Sequence, residues 1–210
     1  MNAIIICAGP PKIFGAHVRQ CVPVFGEPLI CRTVRQCRAF GVNPIVITQP
    51  NETDLRIRAV LGKQAEVFPV ANTSCLCETL LLSCEKTTPA RHLFLLGDVI
   101  YSEAAWVKMM RGCDAIRCFG SFAQGEIFSA SFPFRAFVEV QDKLRQAVHS
   151  KASGKTDGEM WQFYRSVIQV PLELHLIEDT TFVDIEDGFT CDLDAISKYE
   201  AFLYKWAVTD

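Results

Sequence analysis

The chain has 210 residues and a mass of 23.5 kDa; 50% of its residues are hydrophobic, 21% are charged, and its formal net charge is −3. This length fits one domain, 1–210, with a substantial core. The small negative charge excludes a field that would gather nucleic acid or an anionic membrane surface, and no apolar run reaches the roughly 18 residues of a membrane span. We therefore expect a soluble protein with no nucleic-acid and no membrane partner.

In the first half of the chain, strand patterns and helix patterns alternate. Residues 3–8 form a continuous apolar run that ends at Gly9, which is typical of a strand buried on both faces. Apolar residues at near-helical spacing over 29–40, followed by Gly41, predict a helix and its C-cap. Further strands are predicted at 44–48, 65–70 and 92–96, and further helices at 53–61 and 76–86. This alternation predicts an α/β fold, a three-layer α/β/α arrangement around a mostly parallel central sheet.

After Asp98 the alternation becomes less regular. The patterns predict helices at 104–111, 134–149, 161–168 and 196–207. Strands are predicted at 114–120, 126–132, 173–177 and 181–184. The polar, turn-rich stretch 150–158 is interpreted as a mobile loop rather than a domain linker.

Ten cysteines are spread over the chain. They fall in predicted core elements, and Met1-Asn2-Ala3 lacks the positively charged start of a signal peptide. Cys75 and Cys77 are separated by one residue and have no matching second pair, so a zinc site is not favoured. We expect reduced thiols that pack as small apolar side chains in a cytoplasmic protein.

Ligands of an open parallel sheet bind beyond the carboxyl ends of its strands. This rule selects three segments, namely 9–19, 72–79 and Gly97-Asp98. The first segment has only Gly9 and then Gly15, so it matches neither the G-x-G-x-x-G of a dinucleotide fold nor the G-x-x-x-x-G-K-[ST] of a P-loop.

The first segment resembles the opening motif of a nucleotidyltransferase family. These enzymes join a nucleoside triphosphate to a phosphorylated sugar or alcohol and release pyrophosphate. Cys7-Ala8-Gly9 matches the start of the motif, Lys12 and Arg19 lie at its two basic positions, and 26–30 (Gly-Glu-Pro-Leu-Ile) matches the turn into the first helix. The short cytidylyltransferases of the family have the same spacing.

Two later segments extend the resemblance. Gly97-Asp98 resembles the strand-end Gly-Asp whose carboxylate holds magnesium, and 191–196 resembles the aspartate-containing segment before the last helix. Order and position agree over nearly the whole chain, and the agreement is weakest in 120–180. The resemblance implies a Rossmann-like, GT-A-like nucleotidyltransferase fold and a nucleotidyltransferase enzyme of nucleotide-sugar biosynthesis or a related route.

The resemblance also implies a set of site residues. The implied catalytic residues are the two loop cations Lys12 and Arg19, which would neutralise phosphate. The implied nucleotide-binding residues are Ala8, Gly9, Pro10, Lys12, Asn72, Ser74, Glu78 and Thr79. The implied ligands of Mg²⁺ or another divalent cation are Asp98, Asp192 and Asp194. Because alternate residues of an extended segment face opposite ways, only one of Asp192 and Asp194 should reach the metal, and the resemblance favours Asp192.

The acceptor side is expected to come from the less family-like region 120–180. A cationic loop beside an aromatic helix face would suit a phosphorylated acceptor. The candidates are His149, Lys151, Trp161, Tyr164 and Arg165. Trp161 and Tyr164 are more typical of a core-facing helix stripe, and Ser74 is equally typical of a helix N-cap. The expected partners are a nucleoside triphosphate, a phosphorylated small molecule and, as an option, a second copy of the chain.

Five positions depart from the family pattern. Pro11 replaces a glycine and offers no N–H to phosphate, Arg19 replaces a lysine, Val18 replaces a proline, and 195–196 replace Thr-Pro. Two alternatives therefore stay open beside the transferase. One is a non-catalytic nucleotide-binding or scaffolding homologue. The other is a glycosyltransferase of the related fold that binds a nucleotide-sugar, although such enzymes usually carry Asp-x-Asp where this chain has Gly97-Asp98-Val99.

Overall fold

The computed structural model describes residues 1–111, 115–174 and 180–209. Within them the strands are β1 (Asn2–Ile6), β2 (Ile13–Phe14), β3 (His17–Val18), β4 (Pro23–Val24), β5 (Glu27–Pro28), β6 (Asn43–Thr48), β7 (Glu66–Pro69), β8 (His92–Leu96), β9 (Val99–Ile100), β10 (Arg117–Ser121), β11 (Glu126–Phe132), β12 (Phe182–Asp184) and β13 (Cys191–Asp192). The α-helices are α1 (Leu29–Ala39), α2 (Glu52–Leu61), α3 (Leu76–Glu85), α4 (Glu103–Met110), α5 (Phe137–Ala152), α6 (Met160–Val167) and α7 (Ile196–Thr209).

Seven of these strands form one central sheet in the order β12-β10-β11-β8-β1-β6-β7. Strand β1 lies in the middle and pairs in parallel with both β6 and β8. Strand β11 runs antiparallel to both of its neighbours, β8 and β10. The sheet is therefore mostly parallel, as the alternation of strands and helices predicts.

Helices cover both faces of the sheet because side chains alternate along its strands. Ile5 of β1 packs in one apolar cluster with side chains of α1, α2 and α4, such as Ile57 and Trp106. Ile4 packs in the other cluster with side chains of α3, α5 and α6, such as Phe163. A third, smaller cluster contains Phe202 and anchors α7 near β4 and β9. The three-layer α/β/α architecture is confirmed.

Most predicted elements are found within a few residues of their expected bounds. The predicted helix 134–149 begins as a 3-10 turn and continues as α5 to Ala152, so Lys151 is helical rather than part of the predicted loop 150–158. The predicted strand 173–177 is wrong at its start, because Glu173 lies in a turn and Leu174 in no strand. Residues 175–177, and Asp114 of another predicted strand, lie outside the described residues.

Two further expectations concern the cysteines and membrane-spanning helices. The nine cysteines of the described segments are free thiols, and all except Cys75 and Cys191 are buried, as expected of small apolar side chains. Among the described helices, none combines the length and the apolar character that crossing a bilayer requires.

Candidate active site

A cleft of about 400 Å³ opens at the carboxyl edge of the central sheet. It lies where the open-sheet rule places a ligand, beside the ends of β1, β6 and β8. Eight residues named from the sequence line it: Ala8, Gly9, Pro10, Lys12, Arg19, Ser74, Thr79 and Asp98.

Close approach of two strand ends places Asp98 next to the opening loop. The Gly97 N–H donates to the Ile6 carbonyl over 2.8 Å, which continues the pairing of β8 with β1. A Cβ at position 97 would lie 2.3 Å from Cys7 Sγ and 2.8 Å from the Ile6 oxygen. Only glycine fits there without a shift, and the next residue, Asp98, therefore leaves the sheet beside the start of the loop.

A two-stranded hairpin explains how Lys12 and Arg19 come together. Strands β2 and β3 pair antiparallel around a turn in which Gly15 has φ +61°, a conformation that favours glycine. At the base of the hairpin the Arg19 N–H donates to the Lys12 carbonyl over 2.9 Å. The two cations are seven positions apart in sequence, but they are direct neighbours across the hairpin.

Each of these cations contacts an acidic segment of the site. The Lys12 ammonium donates to the Asp194 carbonyl over 3.2 Å. An Arg19 Nη2 lies 2.6 Å from Asp98 Oδ2, and these two side chains are only 14% and 16% exposed. Arg19 Nε is buried and, within the described residues, has no hydrogen-bond partner. The guanidinium therefore keeps unused donor capacity while it is paired with Asp98.

Pairing of β9 with β13 brings the C-terminal aspartates to Asp98. Asp192 lies opposite Val99 in this antiparallel ladder, and the Leu193 N–H donates to the Asp98 carbonyl over 2.9 Å. Burial, followed by the negative charges of Asp98 and Asp194, raises the pKa of Asp192 to about 7. No hydrogen bond or ion pair of the Asp192 carboxylate is found among the described residues. Its environment therefore has an excess of negative charge.

Asp194 differs from Asp192 in its contacts. Its Oδ1 lies 3.0 Å from Lys198 Nζ, one turn further along in α7. Asp194 therefore already has a cationic partner, whereas Asp192 has none within the described segments. The assignment of Asp192 as the ligand of the two stays a prediction.

Asp98 lines the cleft and Asp192 does not, but together these two carboxylates have the chemistry that a magnesium ion needs. Mg²⁺ prefers hard oxygen ligands and commonly takes one or two carboxylates, with phosphate and water oxygens completing its octahedron. In the described part of the chain no group of three or more His, Cys, Asp or Glu side chains is arranged to hold a metal ion. Asp98 and Asp192 nevertheless supply two carboxylates, and the unneutralised Asp192 fits a divalent cation.

The wall beside α3 only partly matches the predicted nucleotide-binding residues. Asn72 is exposed and lies outside the cleft lining. The Ser74 N–H and hydroxyl both donate to Glu78 Oε2, over 2.6 and 2.8 Å, so Glu78 holds the turn before α3. Cys75, not Ser74, is the N-cap residue of α3.

Sequence reasoning missed Gln49 and Glu159, which also line the cleft, whereas Thr73 belongs to the selected segment 72–79. Gln49 directly follows β6, so the open-sheet rule would have found it had the rule been applied to the second strand as well as to the others. Glu159 precedes α6 and has a raised pKa, caused first by burial and then by the charge of Asp157. No local motif marks Glu159.

The predicted acceptor residues do not line the cleft. Tyr164 is fully buried and Arg165 is 6% exposed. The Tyr164 ring packs 6.0 Å from the Phe182 ring, and Arg165 donates to the Leu172 carbonyl and lies 5.8 Å from the Trp161 ring. The acceptor assignment is therefore wrong for Tyr164 and Arg165, because their side of α6 packs on the sheet.

The remaining acceptor candidates differ in their surroundings. His149 is exposed in the last turn of α5, while Trp161 is half-buried and stacks on Phe182. Lys151 is near the cleft, since its charge acts on Glu159. These three assignments stay predictions.

Comparison with known proteins identifies the fold. No protein-family model and no curated protein matches the chain. Among solved structures, a nucleotidyl transferase from Methanothermobacter thermautotrophicus is 16% identical with a TM-score of 0.69, and 100% of this chain and 98% of that chain are covered. The CTP:phosphocholine cytidylyltransferase from Streptococcus pneumoniae is 14% identical with a TM-score of 0.67, and 98% of both chains is covered.

A third solved structure belongs to the same class. The inositol-1-phosphate CTP transferase from T. maritima is 12% identical with a TM-score of 0.63, covering 97% of this chain and 93% of that chain. At these identities the likeness establishes the fold alone. The chain has the nucleotidyltransferase fold over its whole length, as its opening motif implies.

Proposed function

We propose that this protein is a metal-dependent nucleotidyltransferase. It would transfer a nucleoside monophosphate from a nucleoside triphosphate to a phosphorylated sugar or alcohol. One observation carries the proposal: Lys12, Arg19 and Asp98 come from distant parts of the sequence and line one cleft, and the pairing of β13 with β9 brings Asp192 close to Asp98.

The reaction requires positive charge at this rim. An oxygen of the acceptor phosphate attacks the α-phosphorus, the bond from that phosphorus to the bridging β-phosphate oxygen breaks, and pyrophosphate leaves with the bonding electrons. Two like unit charges about 4 Å apart repel by about 4 kcal/mol at an effective dielectric constant of 20. Lys12 and Arg19 would offset this repulsion and stabilise the charge that develops on the departing pyrophosphate.

The acidic residues would contribute to the same charge neutralisation by binding a metal ion. Asp98 and Asp192 would hold the divalent cation, most simply Mg²⁺, through their carboxylate oxygens. When bound, this ion supplies further neutralisation of the α-phosphate and of the leaving group. Lys198 pairs with the Asp194 carboxylate and Lys12 binds only the Asp194 backbone carbonyl, whereas the Asp192 carboxylate has no cationic partner among the described residues.

The opening loop provides fewer backbone donors than its family pattern. Pro10 and Pro11 lack N–H groups, so in this part of the loop phosphate can only meet the amides of Gly9 and Lys12. Prolines also restrict φ and thereby limit the conformations of the loop before substrate arrives. Binding of the triphosphate should accordingly depend more on the two side-chain cations than on backbone amides.

Pyrophosphate release tests the proposal directly. The purified chain is incubated with each common nucleoside triphosphate and a panel of sugar and alcohol phosphates, with Mg²⁺ or with a chelator. We expect release that needs both an acceptor and Mg²⁺, and that falls at least a hundredfold in Asp98→Asn and Asp192→Asn. Asp142→Asn is the matched control, because Asp142 is exposed on α5 and pairs only with Arg145 among the described residues.

A non-catalytic nucleotide-binding role is the second candidate. It is favoured by Pro11 and by the Arg19–Asp98 ion pair, which together reduce the donors and carboxylate oxygens open to substrate. Calorimetry that shows nucleotide binding, with no pyrophosphate released from any acceptor in the panel, would support this role and contradict the transferase.

A further inference from the structure

A hydrogen-bonded network of three polar side chains crosses the cleft wall between β6 and α3. Gln49 Nε2 lies 2.9 Å from Thr73 Oγ1, and Thr73 Oγ1 lies 2.6 Å from Thr79 Oγ1. The Thr79 hydroxyl lies 3.3 Å from the carbonyl of Cys75, four residues earlier in the helix. Gln49 is 8% exposed and Thr79 is 3% exposed, so this network is largely shielded from water.

The direction of the hydrogen bonds in this network follows from Thr79, its last member. Each hydroxyl has one proton to donate. The Thr79 hydroxyl donates to the Cys75 carbonyl, and therefore accepts from Thr73. Thr73 then has no proton left for Gln49, so Gln49 must donate from Nε2. This network assigns the orientation of the Gln49 amide.

The assignment leaves Gln49 Oε1 as a hydrogen-bond acceptor at the cleft. The Gln49 side chain lines the cleft, and Oε1 has no partner among the described residues. Turning the amide around would place Nε2 toward the cleft, but it would oppose Oε1 to a hydroxyl whose proton is already used. The two threonine hydroxyls of the network therefore oppose this rotation.

From this geometry, and on the basis of the proposed function, we propose that Gln49 selects the base of the nucleotide. The favoured bases carry an exocyclic amino group where their analogues carry a carbonyl, as in cytosine compared with uracil and in adenine compared with hypoxanthine. An amino N–H can donate to Oε1, whereas a carbonyl would face it and leave both oxygens unpaired. Loss of one such hydrogen bond with an unpaired polar group changes affinity about tenfold or more.

Paired nucleotides provide the test. Calorimetry in Mg²⁺ buffer compares CTP with UTP and ATP with ITP, which differ at the relevant position by amino and carbonyl. We expect at least one amino member to bind about tenfold more tightly than its carbonyl partner, and the pair that shows the difference identifies the ring as pyrimidine or purine. Equal binding within both pairs, a preference for the carbonyl members, or no binding of any nucleotide overturns the inference.

Two positions separate selectivity from folding. Thr73→Val removes the acceptor that fixes the amide, so the preference should fall to about twofold or less, and Thr73→Ser should restore it. Gln49→Leu should abolish the preference while thermal melting remains cooperative. A preference that persists in both Thr73→Val and Gln49→Leu would mean that another group reads the base, and would overturn the assignment to Gln49.

Failure of this inference and failure of the proposed function give different results. Pyrophosphate release with UTP at least equal to CTP, and ITP at least equal to ATP, contradicts the role of Gln49 and leaves the transferase standing. Amino-selective binding with no release from any acceptor supports Gln49 and contradicts the transferase.

Discussion

Replacing Arg19 by Met should change two measurable properties in opposite directions. Methionine keeps an unbranched side chain of similar reach but removes the charge. Arg19 lies 2.6 Å from Asp98 Oδ2, so it competes with a divalent cation for the same carboxylate. It is also one of the two cations proposed to face the triphosphate. We therefore expect tighter binding of Mg²⁺ in the absence of nucleotide, together with slower turnover.

The magnitudes follow from the geometry of the pair. Unit charges about 4 Å apart interact by about 4 kcal/mol at an effective dielectric constant of 20, and desolvation of both groups offsets much of this attraction. A net gain of about 1.4 kcal/mol would tighten Mg²⁺ binding about tenfold. Removal of a positioned donor to a developing negative charge typically slows catalysis about a hundredfold or more. Arg19→Lys, which keeps the charge, should lie close to the wild type in both properties.

Calorimetric titration with Mg²⁺ and the rate of pyrophosphate release measure the two effects. Arg145→Met is the control, because Arg145 is exposed and pairs with Asp142 on α5. Weaker Mg²⁺ binding in Arg19→Met would refute the view that Arg19 and the metal compete for Asp98. Unchanged turnover would refute a role for Arg19 at the phosphates.

Three further predictions concern the stability of the fold. Gly97→Ala forces a Cβ to within 2.3 Å of Cys7 Sγ, so unfolding by urea should show a loss of about 1 to 3 kcal/mol, and a smaller loss would mean that the strand ends separate easily. Tyr164→Ala should cost about 3 to 5 kcal/mol without a specific rise in the KM of the acceptor, whereas a raised KM at unchanged stability would restore its acceptor role. Burial lowers the pKa of His92, so the unfolded state binds a proton at this histidine more readily than the folded state. The free energy of unfolding should therefore decrease as pH falls below about 6.5. Urea titrations should show a weaker decrease in His92→Gln, and an equal decrease would exclude His92 as the cause.

The location of the site could be predicted from the sequence because it depends on chain direction. Parallel strands end at the same edge, so Gly9 and Asp98 were expected at one edge of the sheet once β1 and β8 were recognised. Proximity of Lys12 to Arg19 could be inferred only from the family spacing, since two-residue strands such as β2 and β3 give no periodic signal. The hairpin itself is visible only in the structure.

The wrong acceptor assignment of Tyr164 came from a sequence pattern that is compatible with two environments. Trp161 and Tyr164, spaced three apart on a helix, mark one helix face but do not say whether it meets a ligand or the sheet. The structure decides for the sheet, since Tyr164 packs on Phe182. Gln49 and Thr73 are 24 positions apart and belong to no motif, and their relation depends on the neighbouring positions of β6 and β7 in the sheet.

The candidate site depends on contacts between the two ends of the chain. Lys12 and Asp194 are 182 positions apart, and their hydrogen bond links the opening hairpin to the segment before α7. Asp192 reaches Asp98 only because β13 pairs with β9 over two residues, a pairing too short to be stable alone. Packing must therefore supply the stability, and Leu193 and Phe202 do so in the small apolar cluster that also contains Leu29. Loss of that cluster would separate the two carboxylates without changing any residue of the cleft, so the acidic half of the site is only as stable as the docking of α7.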